Sequence, residues 1–284
     1  MARLKTVLHV HTNYSADSNV SPEELVVTAQ RQGVDCVAVT DHNVIDGALA
    51  VRAAAGGLRV IVGEEITTAD GHLLGLFLDQ AVPPRLPAEE TIERIRDQGG
   101  LVFAPHPFAC LCDNSLGRTV QRLAPLLDAV EIHNAQNPFW WEDTRAACFA
   151  RRHDLIPYVG ADAHVRGYLA ASHQMMPDFD GPQSFLAALR QAEFSRGRFG
   201  LRYIGVMAAR QLWKQVVGRP LGGFGANVPR EDGANVLGRK ACLACHSEEP
   251  FDDAQGKLRD EESSRKCGIR RNSWPDPSSL RSSG

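Results

Sequence analysis

The sequence has no long apolar run. No stretch of its 284 residues is long and apolar enough for a membrane span or the core of a signal peptide. The N-terminus, Met-Ala-Arg-Leu-Lys-Thr-Val-Leu-His, leads straight into a strand-like segment, so a cytoplasmic protein is expected. A large excess of one charge is also missing. The net charge is -3, which argues against a general nucleic-acid binder, because affinity for phosphate backbones needs a basic surface. No low-complexity segment or internal repeat interrupts the first 200 residues. Seven cysteines in a reducing compartment are expected to be mostly reduced, with Cys36, Cys110, Cys112 and Cys148 as small buried apolar residues.

Apolar segments that end in polar residues alternate with helical patterns. Val7–Val10 ends in His11; Cys36–Thr40 ends in Asp41-His42-Asn43; Arg59–Val62 ends in Gly63-Glu64-Glu65. His72–Leu78 reads as a fourth strand. Leu101–Ala104 ends in Pro105-His106-Pro107, Ala129–Ile132 in His133-Asn134, and Ile156–Val159 in Gly160-Ala161-Asp162-Ala163-His164. Between them, helices are expected over Ser21–Gly33, Asp46–Gly56, Pro87–Gln98, Leu116–Leu126, Phe139–His153 and Pro182–Glu193. Ser21-Pro22-Glu23-Glu24 has the residues of a capping box with proline at the first helical position.

Apolar strands alternating with helices through short connections predict an α/β fold with a parallel sheet covered by helices. A barrel is favoured over an open sheet because the polar residues fall at strand C-termini, where a barrel gathers them at one mouth. A lone histidine at a strand end is ordinarily a satisfied polar group. Here His9, His11, His42, His106, His133 and His164 all sit at such ends, with Glu65 and Asp162, and Asp17 follows in the first loop. Imidazole and carboxylate are ligands for Zn, Mn or Fe. The set is too large for one tetrahedral ion and suits two or three divalent metal ions sharing a carboxylate.

This constellation resembles the PHP (polymerase and histidinol phosphatase) family over residues 3–195. The opening His9-x-His11 with Asp17, Thr40-Asp41-His42, Gly63-Glu64-Glu65, His106-Pro107, His133 and Asp162-Ala163-His164 carry the likeness. The resemblance implies a distorted seven-stranded barrel with three metals. One ion would take His9, His11, Glu65 and Asp162; a second Glu65, His106 and His133; a third Asp17, His42 and His164. Asp17, Glu65 and His164 are the implied catalytic residues, with Arg166 and His72 as candidate substrate contacts. The expected activity is a metal-dependent phosphoesterase, a phosphatase-type hydrolase of a small phosphorylated metabolite or nucleotide, using a hydroxide held by the metals. Two alternatives remain: a nuclease acting on nucleic-acid ends, and a non-catalytic metal-binding regulatory module.

From about Leu201 the α/β rhythm stops, which predicts a domain over 1–200 and a C-terminal extension over 201–284. The extension carries +4, leaving -7 on the first 200 residues. Ile204–Val217 reads as an amphipathic helix bearing Trp213, 218–238 as a linker, and the segment from Ser263 as disordered. Cys242-Leu243-Ala244-Cys245-His246 matches a haem-attachment pattern, and a zinc knuckle with Cys267 is a further reading. Chance is favoured over both, and no partner of the extension is legible.

Overall fold

The computed structural model describes residues 3–110 and 114–200, and positions 202, 203, 205, 206 and 209. Seven strands close into a barrel: β1 (Arg3–Val10), β2 (Cys36–Val39), β3 (Arg59–Thr67), β4 (His72–Leu76), β5 (Leu101–Ala104), β6 (Ala129–Asn134) and β7 (Ile156–Ala163). Closure comes from β1, which pairs in parallel with both β2 and β7. The sheet is not wholly parallel. β4 runs antiparallel to β3 and to β5, because only residues 68–71 separate β3 from β4. A parallel crossover needs a dozen residues or more, so a link this short makes a hairpin. Two strands absent from the sequence reading extend the sheet. β8 (Ser172–Pro177) runs antiparallel along Arg3–Thr6 of β1, and β9 (Glu193–Arg196) pairs with β8.

The outer layer is built by α1 (Pro22–Arg31), α2 (Asp46–Ala54), α3 (Ala88–Asp97) and α5 (Trp140–Arg152). The capping box forms at α1: the Glu24 amide donates to Ser21 Oγ, and the Ser21 amide donates to Glu24 Oε2. Between β5 and β6 the expected single helix is a short α4 (Val120–Leu123) flanked by 3₁₀ turns at Gly117–Thr119 and Ala124–Leu126. Pro125 lacks the amide that would continue the helix. α6 (Pro182–Leu189) lies elsewhere: its Phe185, Ala188 and Leu189 join the barrel-interior core with Leu8, Ala38, Ile61, Leu74, Phe103 and Tyr158. It thereby plugs the end of the barrel opposite the strand C-termini.

Side-chain parity decides what reaches the mouth. Along β1, Val7 packs with the outer helices and Leu8 with the interior. Strict alternation would then send His9 and His11 outward. Against β2 the strand instead carries one extra residue, Val7 pairing with Val37 and Val10 with Val39, and His9 has φ 64°. This extra residue puts Val10 back among the outer residues and turns His9 and His11 inward. β6 uses the same device in reverse. Glu131 pairs with Tyr158 and His133 with Val159, so a bulge separates them and His133 leaves the interior face.

Cys36 is buried, and burial pushes its thiol up to about 12. Cys148 is disulfide-bonded, which corrects the expectation of a reduced buried thiol. Cys112, most of the 204–217 segment, the linker and the Cys242–His246 motif lie outside the described residues.

Candidate metal centre

Glu65, on the hairpin strand β3, is fully buried at the centre of the mouth. Its Oε2 lies 3.2 Å from His9 Nε2, 3.2 Å from His11 Nε2 and 3.3 Å from His42 Nδ1. Its Oε1 lies 2.7 Å from His72 Nδ1 and 3.0 Å from His106 Nε2. Asp162, at the end of β7, brings Oδ1 to 3.6 Å from His9 Nε2 and 3.4 Å from His11 Nε2. Asp17, in the loop after β1, places Oδ2 at 3.2 Å from His42 Nε2 and 3.5 Å from His164 Nε2. Four overlapping groups bring their ligand atoms within 4.8 Å of one another: His9/His11/Asp162, His9/Glu65/His106, His42/Glu65/His72 and His11/His42/His164.

These residues fit divalent ions. Metal–nitrogen and metal–oxygen bonds of ~2.1 Å in a tetrahedron put neighbouring ligand atoms about 3.4 Å apart, and most of the separations above cluster there. His11 Nε2 is buried with no hydrogen-bond partner, although it faces two carboxylates. Such an orphaned imidazole nitrogen is costly unless something else takes its lone pair. The backbone is also strained at the cluster, since His9, His106 and Asp162 all have positive φ without being glycine.

Mutual electrostatics govern the charge states. Burial by itself raises the carboxyls of Glu65 and Asp162, but the surrounding imidazoles outweigh it and hold both well below the usual range. Asp17 is likewise lowered, chiefly against its burial, by His164 and His42. On the imidazoles burial acts downward and is again overcome. Asp162, Glu65 and Glu131 raise His9 well above 6.5; Glu65 and Asp17 raise His42 to about 9. Glu64, turned away from the cluster, accepts the Val82 amide at 2.8 Å, and burial pushes it to about 7.

A surrounding set of polar contacts fixes the ring orientations. Glu131 is the residue that sequence reasoning missed. Its Oε1 sits 3.1 Å from His9 Nδ1, and its Oε2 accepts the His106 amide at 2.6 Å and Asn134 Nδ2 at 3.0 Å. A glutamate inside the apolar run Ala129–Ile132 was the available signal. Gly160 makes room for it, since a Cβ there would collide with the Glu131 carboxylate. Asp41 braces the loop after β1, accepting the Thr12 amide at 2.6 Å, Thr12 Oγ1 at 2.6 Å and Ser15 Oγ at 2.7 Å.

Two predicted residues exchange places. His72, expected as a substrate contact, lies inside the cluster against Glu65. His133, expected as a ligand, is turned by the bulge toward α5 and the end of β9. Its Nδ1 is 2.7 Å from Asp143 Oδ2 and its Nε2 is 3.0 Å from the Gly197 carbonyl, so neither nitrogen faces Glu65. Arg166 is exposed, donating to the Asn19 carbonyl and pairing with Glu24.

The family model for the PHP domain matches residues 8–176. An uncharacterised protein of Methanocaldococcus jannaschii is 40% identical over 144 residues, covering 46% of this chain and 82% of that protein. A 5'-3' exoribonuclease of Haemophilus influenzae is 35% identical over 97 residues, or 32% of this chain and 35% of the other. In fold, the chain resembles a two-domain protein of Bacteroides vulgatus containing a predicted PHP-like metal-dependent phosphoesterase. The TM-score is 0.58 at 20% identity, over 69% of this chain and 65% of that one.

Proposed function

Since the chain belongs to the PHP-domain family, we propose that it is a divalent-metal-dependent hydrolase of phosphoesters, acting on the phosphomonoester of a small metabolite or nucleotide. The observation that carries this reading is the convergence of five imidazoles, from His9, His11, His42, His72 and His106, on the single buried carboxylate Glu65. His9, His11, His42, His72, His106 and His164, with Asp17, Glu65 and Asp162, would hold two or three ions. Such ions supply Lewis acidity and a nucleophile at neutral pH.

The protein's own residues set the geometry around that chemistry. Glu65 and Asp162 stay ionised and bridge the imidazoles. Glu131 holds His9 by the nitrogen that faces away from the cluster, which fixes its tautomer. The side chains of His9, His11 and Glu65 are at most 1% exposed, whereas Asp17 is 35% and His42 24% exposed. Substrate therefore approaches from the side of Asp17 and His42. Arg166, two residues beyond His164, would clamp a phosphate after leaving Glu24.

The test is hydrolysis of an aryl phosphate by the full chain before and after chelation. Activity should vanish on stripping and return with Mn or Zn. Activity that survives exhaustive chelation would sink the proposal. The nuclease reading is the second one, and the likeness to the Haemophilus exoribonuclease favours it. Competing single-stranded oligonucleotide against small phosphate esters separates the two. Among the described residues, no helix is long and apolar enough to cross a membrane.

A further inference from the structure

Among the described residues, the large hydrophobic side chains left exposed are Tyr14, Val27, Leu126, Trp140 and Trp141. The three aromatics all lie on segments that leave the strand C-termini. Tyr14 is between His11 and Asp17, and the tryptophans open α5 just after β6. α5 packs inward through Glu142, Ala146, Phe149 and Ala150, so neither indole is needed for its docking. The tryptophans are nonetheless ordered against each other. Trp141 stacks on Phe139 with centroids 4.4 Å apart and planes 22° apart, and Trp140 meets Trp141 edge-on at 6.2 Å.

The segment that leads into this aromatic group is tied to the metal centre. Asn134 Nδ2 donates to Asp162 Oδ2 at 3.1 Å, and Gln136 Nε2 lies 3.0 Å from His164 Nδ1. Trp140 follows Gln136 by four residues, a span of at most about 14 Å of chain. Trp140 is 68% and Trp141 50% exposed. Exposed indoles on the segment that leaves the candidate metal centre suit a ligand with a flat π-face attached to a phosphoester.

We infer that Trp140 and Trp141 form a stacking platform for the nucleobase of a phosphoester substrate. The inference deepens the phosphoesterase reading and rests on it for the phosphate end. Stacking on an indole tolerates any base, so it selects nucleotides as a class without reading sequence. A mononucleotide and the end of a single strand present the same chemistry to the platform.

The test uses metal-loaded, full-length protein with three probes: a nucleoside 5'-monophosphate, a short single-stranded oligonucleotide and base-free ribose 5-phosphate. Values of kcat/KM are compared for wild type, the double variant W140A/W141A and the double variant W140F/W141F. Wild type should prefer a base-bearing probe. The preference over ribose 5-phosphate should fall on the order of tenfold in the alanine variant, mainly through KM, and largely persist in the phenylalanine variant. Which base-bearing probe wins identifies the source. Equal bound metal per chain checks that the variants are folded.

An unchanged preference in the alanine variant, or no preference in wild type, would overturn the platform. So would an alanine variant that alters only self-association in sedimentation, which would assign the indoles to a protein contact. Equilibrium dialysis of the nucleoside monophosphate separates the two readings. If wild type turns over no ester, the phosphoesterase reading fails on its own. Nucleotide binding that drops in the alanine variant would still uphold the platform, and absent or unchanged binding would overturn it.

Discussion

His72 and His133 pose the sharpest question at the scale of single residues. Both are histidines near strand ends, and only one faces Glu65. Replacing His72 with alanine removes a nitrogen 2.7 Å from Glu65 Oε1, so elemental analysis should find fewer ions per chain. Replacing His133 with alanine should leave metal content at the wild-type level. It deprives Asp143 and the Gly197 carbonyl of a buried partner, which costs about 1–3 kcal/mol of stability by denaturant titration. The reverse pattern would make His133 a ligand. Most of this neighbourhood was legible, because imidazoles and carboxylates at strand ends announce themselves. The exchange between the two histidines was not. It depends on a one-residue bulge between Glu131 and His133, in a stretch with neither glycine nor proline to mark it. Glu131 was hidden for a related reason. Its value lies in two partners, His9 and the His106 amide, that are remote in sequence.

Elements were easier to read than their directions. The strands that close the barrel stand out as apolar runs, and the capping residues of α1 mark its start. β4 departs from the expected parallel sheet, and its apolar sequence fits a parallel or an antiparallel neighbour equally; the four-residue link after β3 decides it. β8 escaped notice because Ser-His-Gln-Met-Met-Pro has little of the β-branched character that flags a strand. The position of α6 was likewise not written in its own periodicity. Its Phe185 is fully buried, edge-on to Phe77 at 5.4 Å and to Phe179 at 4.9 Å, and stacked near Phe103. Phe185→Ala should therefore cost about 3–5 kcal/mol by thermal or denaturant unfolding. The folded fraction should keep its full metal complement, because the plug and the mouth are at opposite ends of the barrel. Loss of metal at unchanged stability would mean that α6 acts on the mouth directly.

For the whole molecule, the change in sequence rhythm near Leu201 suggested that the catalytic domain ends at 200. Tyr203 argues for a later edge. It is buried, its ring stacks on Phe199 at 4.1 Å, and its hydroxyl accepts the His164 amide at 3.0 Å and donates to the Asp162 carbonyl at 3.2 Å. A residue just past the apparent boundary thus holds the backbone of two candidate ligands at once. Composition could not reveal this, since one tyrosine in an irregular segment carries no periodic signal. Tyr203→Phe in the full chain keeps the ring and removes only the hydroxyl. It should lower stability by about 1–3 kcal/mol, because the His164 amide loses its acceptor. It should also weaken metal binding by about tenfold or more in competition with a chelator, since a slack Asp162–His164 segment no longer presents its ligands in place. Unchanged metal affinity would return the functional boundary to 200. A loss would make the start of the extension part of the metal centre, and a protein cut at 200 would then lack one of that centre's own supports.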